Sequence, residues 1–131
     1  MRAPVKVRFS ELDPYGHVNH AVYVEYFEIG RAESLERVGI DLHELARSGT
    51  QLVVTELRVR YRASAVGGDA LEVVSSIERL ARVSSTWRQR IERGGEVLCE
   101  AEVKIGVIGP SGRPTRLDDA LVERLAPLLA S

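Results

Sequence analysis

The chain has 131 residues, 44% of them apolar and 28% charged, with a net charge of −1, so a disordered, fibrous or multidomain protein is not expected. Near-neutral charge removes any general attraction to nucleic acid or to a membrane surface, and no apolar run approaches the roughly 18 residues of a membrane span. The opening "MRAPVKVRFS" holds no apolar signal region, and Cys99 is the only cysteine, which fits a reducing cytoplasm.

In chain order, Val5, Val7 and Phe9 alternate with Lys6, Arg8 and Ser10, the period of a short half-buried strand. A polar loop with Pro14 and Gly16 follows. Residues 22–38 predict a helix closed by Gly39, which suits the position just past a helix end. Tyr23, Phe27, Gly30, Ser34 and Val38 form one face of it, small in the middle, where Gly30 and Ser34 allow a sheet to approach closely. Asp41 is placed to cap a short second helix over 41–47, with Glu44 three residues on.

Strands fill most of the remainder. Leu57, Val59, Tyr61 and Ala63 alternate with Arg58, Arg60 and Arg62; Leu71, Val73, Ser75 and Ile77 continue the pattern, and after a break near 80–83 so do Ser85, Trp87, Gln89 and Ile91. "RGGE" at 93–96 is a hairpin signal, and the run from Val97 to Val107 is the longest alternation in the chain. Residues 117–129 read as an amphipathic terminal helix. The fold class is α+β in one domain spanning 1–131: an antiparallel five-stranded sheet lays its apolar face on one long helix. One helix covers only part of such a sheet, so association of copies through the sheet edges is expected.

The chemistry concentrates in "ELDPYGHVNHAVY" at 11–23, which gathers Glu11, Asp13, His17, Asn19 and His20 around Pro14 and Gly16. A metal site, a catalytic carboxylate and a polar turn that starts a helix all fit this composition. The metal reading is the weakest, because zinc histidines usually sit on a regular element with a further ligand nearby. Here the loop is bent and the cysteine is far away, so no metal is expected.

"DPYGHVNHAVY" directly before a long helix, with "VRYRASAVGGDAL" and "SGRPTRL" after it, resembles the 4-hydroxybenzoyl-CoA thioesterase-like branch of the hotdog-fold superfamily along nearly the whole chain. The resemblance implies a central helix wrapped by the sheet, and a homodimer or homotetramer with active sites between subunits. It implies an enzyme, a thioester hydrolase acting on acyl-CoA, with CoA as part of the substrate and no separate cofactor. Asp13 falls on the family's catalytic aspartate, which attacks the thioester carbonyl or activates a water. His20 falls where a backbone N–H polarises that carbonyl at the start of a helix. Asn19 would hold the loop. His17 would orient Asp13 or the thioester, or serve as a structural histidine, and the role of the His20 imidazole stays open.

Arg58, Arg60 and Arg62 are candidates for the CoA phosphates, against the plainer reading of a solvated strand face. Arg82, Ser84 and Ser85 lie where relatives contact CoA. A carrier-protein thioesterase and a non-catalytic acyl-CoA binding module are the rival functions, and the acyl group is not legible.

Overall fold

The computed structural model describes residues 1–130. Five strands form one antiparallel sheet: β1 (Arg2–Lys6), β2 (Gln51–Tyr61), β3 (Ala70–Leu80), β4 (Ser84–Arg93) and β5 (Glu96–Ile108). Their spatial order is β1-β3-β4-β5-β2, so β1 and β2 are the two edges. Pro4 sits in edge strand β1, where a missing N–H costs the ladder least. The hairpin from β4 to β5 turns through Gly94 and Gly95, both at positive φ (55° and 87°), the backbone that favours glycine in a tight turn.

A long helix, α1 (His20–Arg37), packs on β1, β3 and β4. Tyr23, Tyr26, Phe27, Gly30, Ser34 and Leu35 are among its buried residues. Burial of each large apolar side chain on this face contributes about 1.5–3 kcal/mol. Gly30 sets the spacing: a Cβ there would lie 2.5 Å from Val73 Cγ1 and 2.9 Å from Ser75 Oγ. Ser34 turns its hydroxyl back on its own helix, donating to the Gly30 carbonyl at 2.8 Å. Beneath this contact Gln89 donates to Phe27 O and to Ser75 Oγ, both at 2.8 Å. Its carbonyl accepts from Arg31 Nη1 at 2.9 Å. Arg31 is buried, and burial lowers the pKa of its guanidinium. No carboxylate lies within ion-pairing distance of it among the described residues.

The helix packs little on the far edge strand β2, while the inner residues of β5 are buried. The inner side of β2 therefore exposes Val54 (50%), Leu57 (40%) and Tyr61 (48%). The outer side of the sheet is a grid of opposite charges, with Glu102 between Arg58 and Arg88, and Glu100 between Arg60 and Arg90. A short helix α2 (Leu42–Arg47) follows Asp41, whose carboxylate accepts from His43 N and Glu44 N. Helix α3 (Asp119–Leu125) and the 3-10 turn Ala126–Leu128 bury Leu121, Leu125 and Leu128.

Four boundaries differ from the sequence expectation. The first strand stops at Lys6, and Phe9 enters a 3-10 turn with 90% of its surface exposed. Glu11 captures the Arg8 N–H at 2.7 Å and bends the chain there. Helix α1 starts two residues earlier than 22, because Asn19 caps it. Strand β2 starts at Gln51 instead of Leu57; a bulge between Val54 and Glu56 breaks the alternation that would have revealed it. The terminal helix is shorter than 117–129, giving way to the 3-10 turn that contains Pro127. No helix is long and apolar enough to cross a membrane among the described residues.

Candidate active site

The loop between β1 and α1 is a small hairpin. Leu12 bridges Val18, Asp13 N donates to His17 O at 2.7 Å, and Gly16 N donates to Asp13 O at 3.1 Å. Gly16 has φ +80°, so it closes the turn in a conformation that side chains resist. Asp13 Oδ1 accepts from Tyr15 N (2.9 Å) and His17 N (3.1 Å), an Asx turn. The other oxygen, Oδ2, has no protein partner among the described residues. The carboxylate thus shapes the loop with one oxygen and keeps the second available.

Two anchors hold this loop against the helix. Glu11 accepts the Tyr26 hydroxyl proton at 2.7 Å, and the Glu11 carbonyl accepts from Asn19 N at 2.9 Å. Val18 N donates to Ala65 O at 2.9 Å, which ties the loop to the segment after β2. Asn19 is the N-cap, its Oδ1 accepting from Ala21 N at 3.0 Å. His20 is therefore the first helical residue. Its N–H is one of the orphan donors at a helix start, and it has no acceptor among the described residues. The positive end of the helix dipole lies at the same place.

These groups meet in a depression of about 310 Å³ lined by Asp13, His17, His20, Tyr23 and Tyr61, with Arg62, Ala63 and Ser64 along its rim. Both imidazoles are exposed there. An open carboxylate beside the free N–H of the first helical residue can activate or deliver a nucleophile at a carbonyl whose oxygen turns toward the helix. The rim is braced by Asp69, which accepts from Val66 N (2.9 Å) and Arg93 Nη1 (2.8 Å), while Arg93 also reaches Ser64 O at 3.2 Å. The Val66 N–H and the Arg93 guanidinium hold the Asp69 carboxyl below the usual carboxylate range. Among the described residues no three His, Cys, Asp or Glu side chains gather as a metal would need.

Sequence reasoning passed over Tyr61 and assigned Tyr23 to the core. Tyr23 is buried, and its hydroxyl accepts from Ala65 N at 3.0 Å. Tyr61 packs edge-on to it, ring centres 5.4 Å apart, and donates its hydroxyl proton to the His20 carbonyl at 2.7 Å. Partial burial raises the Tyr61 pKa, so the group remains a donor through the neutral range. The only sequence signal was a tyrosine near the end of an apolar alternation.

The predicted CoA-binding residues separate. Arg62 borders the depression and pairs with Glu100 at 2.9 Å, an exposed pair of modest strength. Arg58 and Arg60 lie instead on the outer side of the sheet, without an ion pair among the described residues. Arg82 is exposed just before β4. Ser84 and Ser85 are buried at the start of β4, and the Ser85 hydroxyl accepts the Trp87 indole N–H at 3.1 Å. Ile91 lies in the cross-strand row that leads through Cys99 to Tyr61, six positions along β4 from Ser85, about 20 Å. Within one chain Arg82, Ser84 and Ser85 are therefore remote from Asp13.

Comparison with known proteins supplies the family. The model of the thioesterase-like superfamily matches residues 7–125. The acyl-CoA thioester hydrolase YbgC of Escherichia coli is 32% identical over 92% of this chain and 92% of its own length. A chloroplastic acyl-acyl carrier protein thioesterase of Arabidopsis thaliana is 42% identical over 66% of this chain, which spans only 43% of that protein. A Thermus thermophilus thioesterase solved with coenzyme A and zinc superposes with a TM-score of 0.85, at 31% identity, over 97% of this chain and 92% of the other. The antiparallel sheet on a central helix and the match across 7–125 agree: the chain belongs to the thioesterase-like superfamily and has the hotdog fold.

Proposed function

We propose that this chain hydrolyses acyl-CoA thioesters to the free acid and CoA. The observation that carries the reading is the free oxygen of Asp13 in one depression with the free His20 N–H at the start of α1. Asp13 acts on the thioester carbonyl carbon, directly or through a water it deprotonates. The carbon–sulfur bond breaks, CoA leaves as the thiol, and water supplies the acid oxygen. The His20 N–H stabilises the oxyanion, and Asn19 and His17 hold the loop.

The working unit in this reading is a dimer built on β2. Its outer edge carries unpaired backbone groups, and its inner side exposes Val54, Leu57 and Tyr61. Antiparallel pairing of two β2 edges about a two-fold sets the Gln51 end of one strand beside the Tyr61 end of the other. Ser84 and Ser85 lie in rows with Val53 and Val54, so this arrangement carries them and Arg82 toward the partner's depression. A cytoplasmic setting fits a single cysteine that is fully buried, its thiol pushed up to about 12 by burial.

Purified protein assayed with a panel of acyl-CoAs and a thiol reagent tests the activity. Loss of about 10²- to 10⁴-fold in Asp13→Asn is expected if the carboxylate is the base; no turnover by the unmodified protein, or full turnover by Asp13→Asn, would overturn it. A second reading takes the acyl group from a carrier protein. It is favoured by Arg58 and Arg60, cations on the outer sheet side that have no ion pair among the described residues and suit an acidic protein surface. Free CoA should inhibit the CoA-specific enzyme competitively and the carrier-specific one poorly.

A further inference from the structure

We infer that Tyr61 is a positioning residue that holds the first turn of α1 in register with Asp13, an inference that rests on the thioesterase reading above. Three observations converge on it. Its hydroxyl donates to the His20 carbonyl at 2.7 Å, near the usual length of an O–H···O bond. Besides the Tyr23 hydroxyl, which accepts from Ala65 N, it is the only side-chain hydrogen bond joining that first turn to the β2 side of the fold among the described residues. Its ring is fixed edge-on against Tyr23, which in turn lies edge-on to Tyr26 at 6.3 Å.

The consequence is a frame fastened on opposite sides of the depression. Tyr26 ties the helix to Glu11 at the start of the loop, and Tyr61 ties the helix start to the end of β2. Between them lie Asp13 and the His20 N–H, whose separation must suit a carbonyl carbon and its oxygen. Displacement of such groups by about 1 Å costs on the order of 10²-fold in rate. The cost to folding is small, because Tyr61 is half exposed at the end of an edge strand.

Tyr61→Phe keeps the ring and removes the tether. The expected result is a fall in kcat of roughly 10- to 100-fold, the span for lost positioning and a lost preorganised donor. This fall should be equal across acyl groups, with KM within about threefold of the original, an unshifted pH profile and a Tm lowered by no more than a few degrees. A rise in KM with kcat retained, or a loss confined to one acyl class, makes Tyr61 a wall of the acyl pocket and overturns the inference. A second measurement stands apart from turnover. Residue-resolved amide exchange of Tyr61→Phe should show faster exchange confined to the first turn of α1. Unchanged protection there refutes the tether even if the unmodified chain cleaves no thioester, an outcome that would refute only the activity.

Discussion

Replacing Gly30 by alanine tests the packing that locates the site. On helix propensity alone the change would stabilise α1 by up to about 1 kcal/mol. The structure opposes this: the new methyl would sit 2.5 Å from Val73 Cγ1, 2.9 Å from Ser75 Oγ and 3.1 Å from Gln89 Nε2. Val73 and Ser75 belong to β3, an interior strand of the sheet, so the helix must lift by about an ångström to restore ordinary contact. Overpacking of this kind costs about 1–3 kcal/mol. The lift also stretches the Gln89 bonds to Phe27 O and Ser75 Oγ, each worth about 1 kcal/mol net. The balance is a destabilisation of about 2 kcal/mol, or roughly 6–10 °C in Tm for a chain of this size. Turnover should fall with it, because α1 carries its first turn along. Urea and thermal unfolding read the first quantity and a thioester assay the second. A Tm equal to or above that of the unmodified protein would refute the claim that this close approach sets the height of the helix.

Three further outcomes are expected. Asp13→Asn keeps an oxygen that can accept from Tyr15 N and His17 N, so it should fold with an almost unchanged Tm while losing turnover; Asp13→Ala should lose both, by about 1 kcal/mol in stability. The Asp69 carboxyl is held below its unfolded value, so its contribution is complete above about pH 4 and is lost as pH falls through the lowered folded pKa. Asp69→Asn should flatten the acid limb of a Tm-against-pH series while leaving its neutral limb parallel to the original. Leu57→Asp places a charge on the exposed inner side of β2; light scattering after gel filtration should show a lighter species with reduced activity if copies pair there.

The α+β order, the cap at Asp41, the glycine after α1 and the small centre of its sheet-facing side were all legible, because each is a local rule acting on consecutive residues. The first half of β2 was not. There the bulge puts Val54 and Leu57 on one side at a spacing of three, and strict alternation fails. The start of α1 was hidden for a related reason, since His20 and Ala21 carry no apolar period and only the Asn19 cap marks it. In the candidate site, Asp13, Asn19 and His20 share one short loop, so the sequence shows them together, and the family resemblance supplied their expected roles. Tyr61 was missed because its partner lies 41 residues away in sequence, and no pattern read along the chain reports such a meeting. Arg58, Arg60 and Arg62 look equivalent in sequence, but the strand ends at Tyr61 and only the last turns to the depression.

Helix α1 packs its length on β1, β3 and β4 and meets the β2 side only at its first turn, through Tyr23 and Tyr61. This asymmetry divides the sheet into two territories with different tolerance to change. Under the helix, Val73, Ser75 and Gln89 are interlocked, and almost any exchange disturbs the others. Beyond it, Val54 and Leu57 are exposed on the inner side of β2, where a larger or smaller side chain disturbs little folded structure. A library confined to those two positions should therefore yield mostly folded variants, and shifts in acyl preference among them would arise without rebuilding the scaffold that holds Asp13.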